Sequence, residues 1–256
     1  MKYTIGVYSM SVALRPLLEN RLPIQGKFTK DIRLGEQEGR FLTVELSGRQ
    51  ALFVLSDILA DIIVEHLQIR YLMAELAREY GYLSERERSE ILVCTVRKLW
   101  YGGGKERLEQ KKKDISGRVL ACLLEGEGTL ALDGVLRFRM KDCVAKWKQT
   151  LQECARQAVL LSERKQFIKL LRYFVCMRDP AIRYVQVQRE GEAYILLDEQ
   201  GNRIQVTAED AVDATKEDLL LSGLLDLSPE VIDLGSVCDG ELKGLVADIF
   251  IGRVRK

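Results

Sequence analysis

The chain has 256 residues, which suits one large domain or two small ones. Lysine plus arginine (39) against aspartate plus glutamate (38) leaves a formal charge of +1, so no net field draws in DNA, an anionic membrane or acidic substrates. Hydrophobic residues make up 47% and charged ones 30%, which excludes a disordered chain, and a single histidine leaves little for metal or nucleophilic chemistry.

The N-terminus carries one lysine but no uninterrupted apolar core of secretory length, because Arg15 and Pro16 break it. The most apolar stretch, residues 51–64, is interrupted by Asp57 and Asp61 and falls short of the ~20 residues a membrane span requires. Cys94, Cys122, Cys143, Cys154, Cys176 and Cys238 form no CxxC pair, and most sit inside apolar helical patterns. The expectation is a cytoplasmic protein with reduced thiols, no zinc and no cofactor.

Residues 2–8 alternate and predict a strand, and residues 10–21 predict a short helix ending before Pro23. Residues 28–34 and 40–46 read as a hairpin with Gly35 and Gly39 in its connection. Residues 1–48 therefore form a small mixed α/β lobe.

The periodicity then turns helical over residues 49–180. A first long helix runs to Tyr80 and stops at Gly81, a natural left-handed position. Ser84 and Glu87 form a capping box for a second helix, which the glycines at 102–104 end near Trp100. A third, basic helix covers 105–125. In the fourth, Leu132, Leu136, Met140, Cys143, Trp147, Leu151, Cys154 and Ala158 share about a quarter of the circumference and predict a core face. Ala131, Val135 and Phe138 fall on the other side, so that helix is expected to be sandwiched at its start. Phe138 would then be buried, with Arg137 and Arg139 between two apolar surfaces. The fifth helix, 164–177, is expected to bury Phe167, Ile168, Leu170, Leu171, Phe174 and Val175.

Asp179-Pro180 ends the helical block. Residues 182–189 and 193–198 predict a hairpin, with a third strand at 203–206. Thr215 caps a helix to Leu227, a buried strand follows at 230–234, and a last helix follows Gly240. The fold class is α+β: a central helical bundle, 49–180, flanked by mixed α/β segments at 1–48 and 181–256. The C-terminal segment is expected to pack with the N-terminal lobe.

Few residues invite catalytic chemistry. The run Gly102-Gly103-Gly104-Lys105 lacks the Ser or Thr of a phosphate loop, follows a helix instead of a strand, and continues into Glu106. His66 shares a helix face with Leu59, Ile62 and Met73 and has no nucleophile or orienting carboxylate in its motif, so a half-buried helix residue is the reading. The carboxylate pairs sit at helix starts and on helix faces, where capping and solvation explain them. The basic strips are better candidates: Lys165, Lys169 and Arg172 on the fifth helix, Arg137, Lys141 and Lys148 on the fourth, and Lys111 to Lys113. Such strips can track phosphates, yet they equally make the solvated faces of amphipathic helices, and no aromatic platform is interleaved with them.

Residues 130–188 bear a family resemblance. Asp133, Gly134, Arg137, Phe138, Arg139, Lys141 and Asp142, followed by Phe167, Ile168, Leu170, Leu171, Tyr173, Phe174 and Val175, match a motif pair of the YtxC-like family. The segment REYGYLSERERSEIL resembles that family's earlier helix pair, and DLLLSGLLDLSPEVIDL its C-terminal unit. Val135 departs from the usual aromatic and Cys143 from the usual tyrosine. The resemblance implies a connection with sporulation and brings no catalytic residue with it. Arg137 and Arg139 then have two readings, bonding neighbouring carbonyls and carboxylates or holding an anionic ligand. The expected function is a non-enzymatic scaffold with a protein partner. A nucleic-acid accessory protein using the basic strips is the alternative, and an enzyme with Arg137 and Arg139 as an anion clamp the weaker one.

Overall fold

The computed structural model describes residues 1–8, 13–25, 30–102, 104–126, 128–191, 193–205, 215–235 and 240–255. The fold is α+β, and packing divides the chain into two compact units, Met1–Ala158 and Val159–Lys256. None of the described helices is long and apolar enough to cross a membrane.

In the first unit, β1 (Lys2–Gly6) pairs antiparallel with β3 (Phe41–Leu46), which pairs antiparallel with β2 (Ile32–Glu38). Gly35 lies inside β2, beside a register shift between Leu34 and Gln37, and not in the connection as the spacing predicted. The turn needs only Gly39, whose φ of 60° is the left-handed conformation glycine adopts without strain, and Arg40. The fourth strand, β4 (Thr129–Ala131), joins β1 in parallel and was not foreseen, because three residues show no alternation. It takes up Ala131, which the helical pattern had claimed.

The helix α1 (Leu14–Arg21) lies between β1 and β2, and α2 (Arg49–Ile62), α3 (Gln68–Glu79), α4 (Glu85–Tyr101) and α5 (Lys105–Glu125) lie between β3 and β4. A single wide turn, Ile63–Leu67, has π-helical geometry and joins α2 to α3. The extra residue shifts the phase of everything downstream. The buried face continues through Ile63, Leu67, Leu72 and Leu76, while His66 and Ile69 are half-buried and Met73 is exposed. This places Met73 off the face assigned to it by regular spacing. Gly81 keeps an ordinary φ, so the helix ends without the expected left-handed glycine. The capping box at α4 forms as its residues require: the Glu87 N–H donates to Ser84 Oγ at 3.3 Å and the Ser84 N–H to Glu87 Oε2 at 2.9 Å.

The predicted fourth and fifth helices are cut differently. A short α6 (Leu132–Arg139) ends at Met140, whose φ of −124° and ψ of 31° break the helix. One continuous α7 (Lys141–Met177) of 37 residues then spans the rest. The stripe survives the break: Leu132, Leu136, Met140, Trp147, Leu151 and Cys154 are all buried in the first core, with Cys143 and Ala158 packed at its edge. Phe138 is 68% exposed, which overturns the two-sided reading. The short α6 is held on one side only, through Leu132, Val135 and Leu136, and Phe138 in its last turn points to solvent.

In the second unit, β5 (Tyr184–Glu190) pairs antiparallel with β6 (Ala193–Leu197), β6 with β7 (Arg203–Ile204), and β5 in parallel with β8 (Val231–Asp233). The predicted remainder of the third strand, from residue 206, lies outside the described residues. The helices α8 (Lys216–Leu227) and α9 (Gly240–Ile249) complete the core with Val175 of α7. Thr215 and Asp218 close a second capping box, with hydrogen bonds of 3.1 and 3.2 Å. Arg253 pins the tail by donating to the carbonyls of Ser228, Pro229 and Val175.

Candidate functional site

Only some of the candidate residues meet. Arg137 is exposed on α6 and lines a 440 Å³ cleft with Tyr71, Asp133, Lys141 and Lys148. The basic strip read on this segment therefore does converge. It is partly neutralised: Lys148 donates to Glu79 Oε1 at 2.8 Å, and that bond holds the Glu79 carboxyl below its ordinary pKa. Burial, then the nearby Glu75, pushes the Tyr71 phenol up to about 12, so it stays protonated and offers no base. Asp133 accepts the Tyr8 N–H at 3.1 Å, which ties the end of β1 to α6.

Arg139 lies away from this cleft. Two residues along a helix are about 200° apart, so the two arginines of the motif face different neighbours. Arg139 pairs with Glu125 at 3.1 Å, both largely exposed. The geometry thus separates the pair expected to act as one clamp. Asp142 opens α7, where a carboxylate complements the helix N-terminus. Arg118 grips it with two hydrogen bonds, 2.5 and 2.7 Å, and holds its pKa at about 2. The motif's acidic residues are accordingly structural ties.

On the C-terminal half of α7, Arg172 turns inward and donates twice to the Asp248 carbonyl, at 2.9 and 2.6 Å, capping the last turn of α9. It is therefore occupied. Lys165 and Lys169 are exposed and make no ion pair among the described residues. The sequence reading fails most clearly here. Phe167 (59% exposed), Leu170 (50%) and Phe174 (53%) were expected in the core, and only Val175 of that set is buried, with Ile168 and Leu171 partly so. Leu160, Phe167 and Phe174 recur every seven residues, as do Leu170 and Met177, so the exposed side chains form one stripe. The seven-residue repeat is present in the sequence; what fails to cover it is not.

His66 is half-buried beside Pro16 and Arg70, with no serine, threonine or cysteine among the described residues that line that cleft. Gly103 and the Lys105 side chain of the glycine run lie outside what the structure describes. The Cys94 and Cys154 sulfurs meet across α4 and α7 at 3.0 Å, a proximity that sequence spacing conceals, and burial raises the Cys154 thiol pKa. No cluster of three or more histidine, cysteine or carboxylate side chains suited to a metal occurs among the described residues.

The family model of the YtxC-like family matches residues 53–255, most of the chain, and the protein belongs to that family. No curated protein and no solved structure matches it.

Proposed function

We propose that this member of the YtxC-like family is a cytoplasmic, non-enzymatic protein of sporulation that works by docking a helix of a partner protein along the exposed stripe of α7. The observation that carries the reading is the stripe itself. Five large apolar side chains, Leu160, Phe167, Leu170, Phe174 and Met177, each 50–68% exposed, lie in register on one helix. Isolated exposed apolar residues need no explanation, but a contiguous row of this kind marks an interaction surface. A seven-residue repeat accepts another helix, because knobs at that spacing meet the holes of a helix laid alongside.

The edges of the stripe favour a partner with acidic flanks. Arg164 and Arg178 border it, each in a long, exposed ion pair, with Glu241 at 3.6 Å and Asp226 at 3.8 Å, that an acidic partner can replace. Glu163, exposed between Leu160 and Phe167 on the same face, is the one carboxylate of the stripe, so a second copy would offer a single acid to Arg164 and Arg178, whereas an acidic helix would meet both.

The test is a Phe167→Ser, Leu170→Ser, Phe174→Ser variant in sporulating cells, beside a photo-crosslinker at position 170. The expected result is an unchanged denaturation midpoint, impaired sporulation, and crosslinks to an acidic amphipathic segment of another protein. Normal sporulation by the triple variant would overturn the reading. A self-association abolished by the same changes would assign the stripe to a second copy instead.

A further inference from the structure

Lys111 and Lys112 are neighbours on α5 and meet opposite surroundings. Lys112 faces α2, with Asp61 Oδ1 at 2.7 Å and Glu65 Oε1 at 3.1 Å. Burial pulls its pKa down, but the hydrogen bonds to those carboxylates outweigh it and hold the ammonium above its ordinary value. Lys111 turns into a 340 Å³ cleft between the end of α4, α5 and the start of α7. Its Nζ donates to the Leu99 carbonyl at 2.6 Å, which leaves two donors free. Burial, then the positive charges of Arg107 and Lys146, lower its pKa.

Among the first unit's other half-buried cations, Arg88 is held by two backbone carbonyls, of Gly81 and Leu83, and several have carboxylates. Lys112 has two carboxylates, Lys148 has Glu79, and Arg21 has Asp61 and Glu65. In the cleft, no carboxylate among the described residues pairs with Arg107, Lys111 or Lys146. Of the two acidic residues that line it, Asp142 is paired with Arg118, and Asp114 accepts only from the neutral Gln110 amide at 3.2 Å and keeps its charge; five lysines and arginines line the cleft against these two carboxylates. Lys111 is half-buried and flanked by the exposed Arg107 and Lys146, so like charges repel across the cleft and an anion that joins them is favoured.

We propose that this cleft binds a small phosphate-bearing molecule, with Arg107, Lys111 and Lys146 on the phosphate and the indoles of Trp100 and Trp147 beside its organic part. A phosphate offers several acceptors at once to a guanidinium fork and two ammonium groups. The volume sits at the small end of the ~300–1,000 Å³ typical of ligand pockets, which suits a compact ligand. The Trp100 Nε1–H is already held by Gln68 Oε1 at 2.8 Å, so that indole wall is fixed.

Both tryptophans of the chain line this cleft, so tryptophan fluorescence reports on it, and substitution of Arg107 and Lys146 separates it from the neighbouring cleft that Tyr71 lines. The full chain is titrated at low salt with inorganic pyrophosphate and with ADP, and with an Arg107→Gln, Lys146→Gln variant in parallel. Both substituted residues are exposed, so folding is retained. Saturable fluorescence change with either probe, weakened about tenfold or more in the variant, is the expected result. A Lys165→Gln, Lys169→Gln control should bind as the wild type does. No saturable change with either probe, or equal affinity in the Arg107/Lys146 variant, overturns the proposal. Stronger binding of a short oligonucleotide at equal phosphate concentration would assign the cleft to a nucleic-acid backbone and overturn the small-ligand reading.

Discussion

The two halves of α7 each carry an apolar stripe, denser in the second, and meet opposite surroundings. Over 141–158, Trp147, Leu151, Cys154 and Ala155 are buried on one narrow face, and the remaining surface is polar. Over 159–177, apolar residues occupy most of the circumference, yet the second unit covers only the side that carries Ile168, Leu171 and Val175. Leu160, Leu161, Phe167, Leu170, Tyr173, Phe174 and Met177 are left exposed. Helical periodicity thus locates apolar stripes, but whether a stripe is core or interface depends on what the rest of the chain brings to it.

The comparison breaks most sharply under substitution. Leu151→Ala empties a fully buried site and should cost ~2–5 kcal/mol in denaturant unfolding, whereas Leu170→Ser should stay within ~0.5 kcal/mol. Equal losses at the two positions would put both halves in a core. Val175→Ala, on the covered side of the second half, should cost about 1.5 kcal/mol from the lost methyl groups, and a neutral result would detach α7 from the second core. Phe138→Ala should be neutral within ~0.5 kcal/mol, since the ring is in solvent; a loss of several kcal/mol would restore its burial.

A smaller effect separates the ties that anchor each half. Asp142, with its pKa lowered to about 2 by Arg118, favours the fold fully above the ordinary carboxylate range. The contribution fades as pH falls from about 4 toward 2, because the unfolded carboxyl protonates first. Its side chain is 52% exposed, so the effect is modest. The stability gap between wild type and Asp142→Asn should narrow over that range. The gap for Arg172→Ala should not, because Arg172 bonds a backbone carbonyl. A gap for Asp142→Asn that is flat down to pH 2 would remove the Arg118 tie.

Much of the architecture was legible in the residues. The capping boxes at Ser84 and Thr215, the basic helix over 105–125, the Leu132-to-Cys154 stripe and the hairpin around Gly191 follow from local chemistry and periodicity. The wide turn at Ile63–Leu67 was not legible, since one extra residue in a turn leaves no compositional mark. Nor was β4, whose three residues form a strand only because β1 supplies hydrogen bonds. The candidate cleft was hidden for a related reason. Arg107, Lys111 and Lys146 come from two helices, and only packing brings them to one cleft and shows that Asp142 beside them is already paired with Arg118.

The contrast within α7 is tested most directly by solvent access to single thiols. Leu151→Cys and Leu170→Cys variants of the isolated protein would be treated with a thiol reagent, and labelling read peptide by peptide, with exposed Cys176 as the internal reference. The structure predicts that the thiol at position 170 reacts about as fast as Cys176, while that at position 151 stays protected until the protein is denatured. Protection at 170 equal to that at 151 would contradict the account.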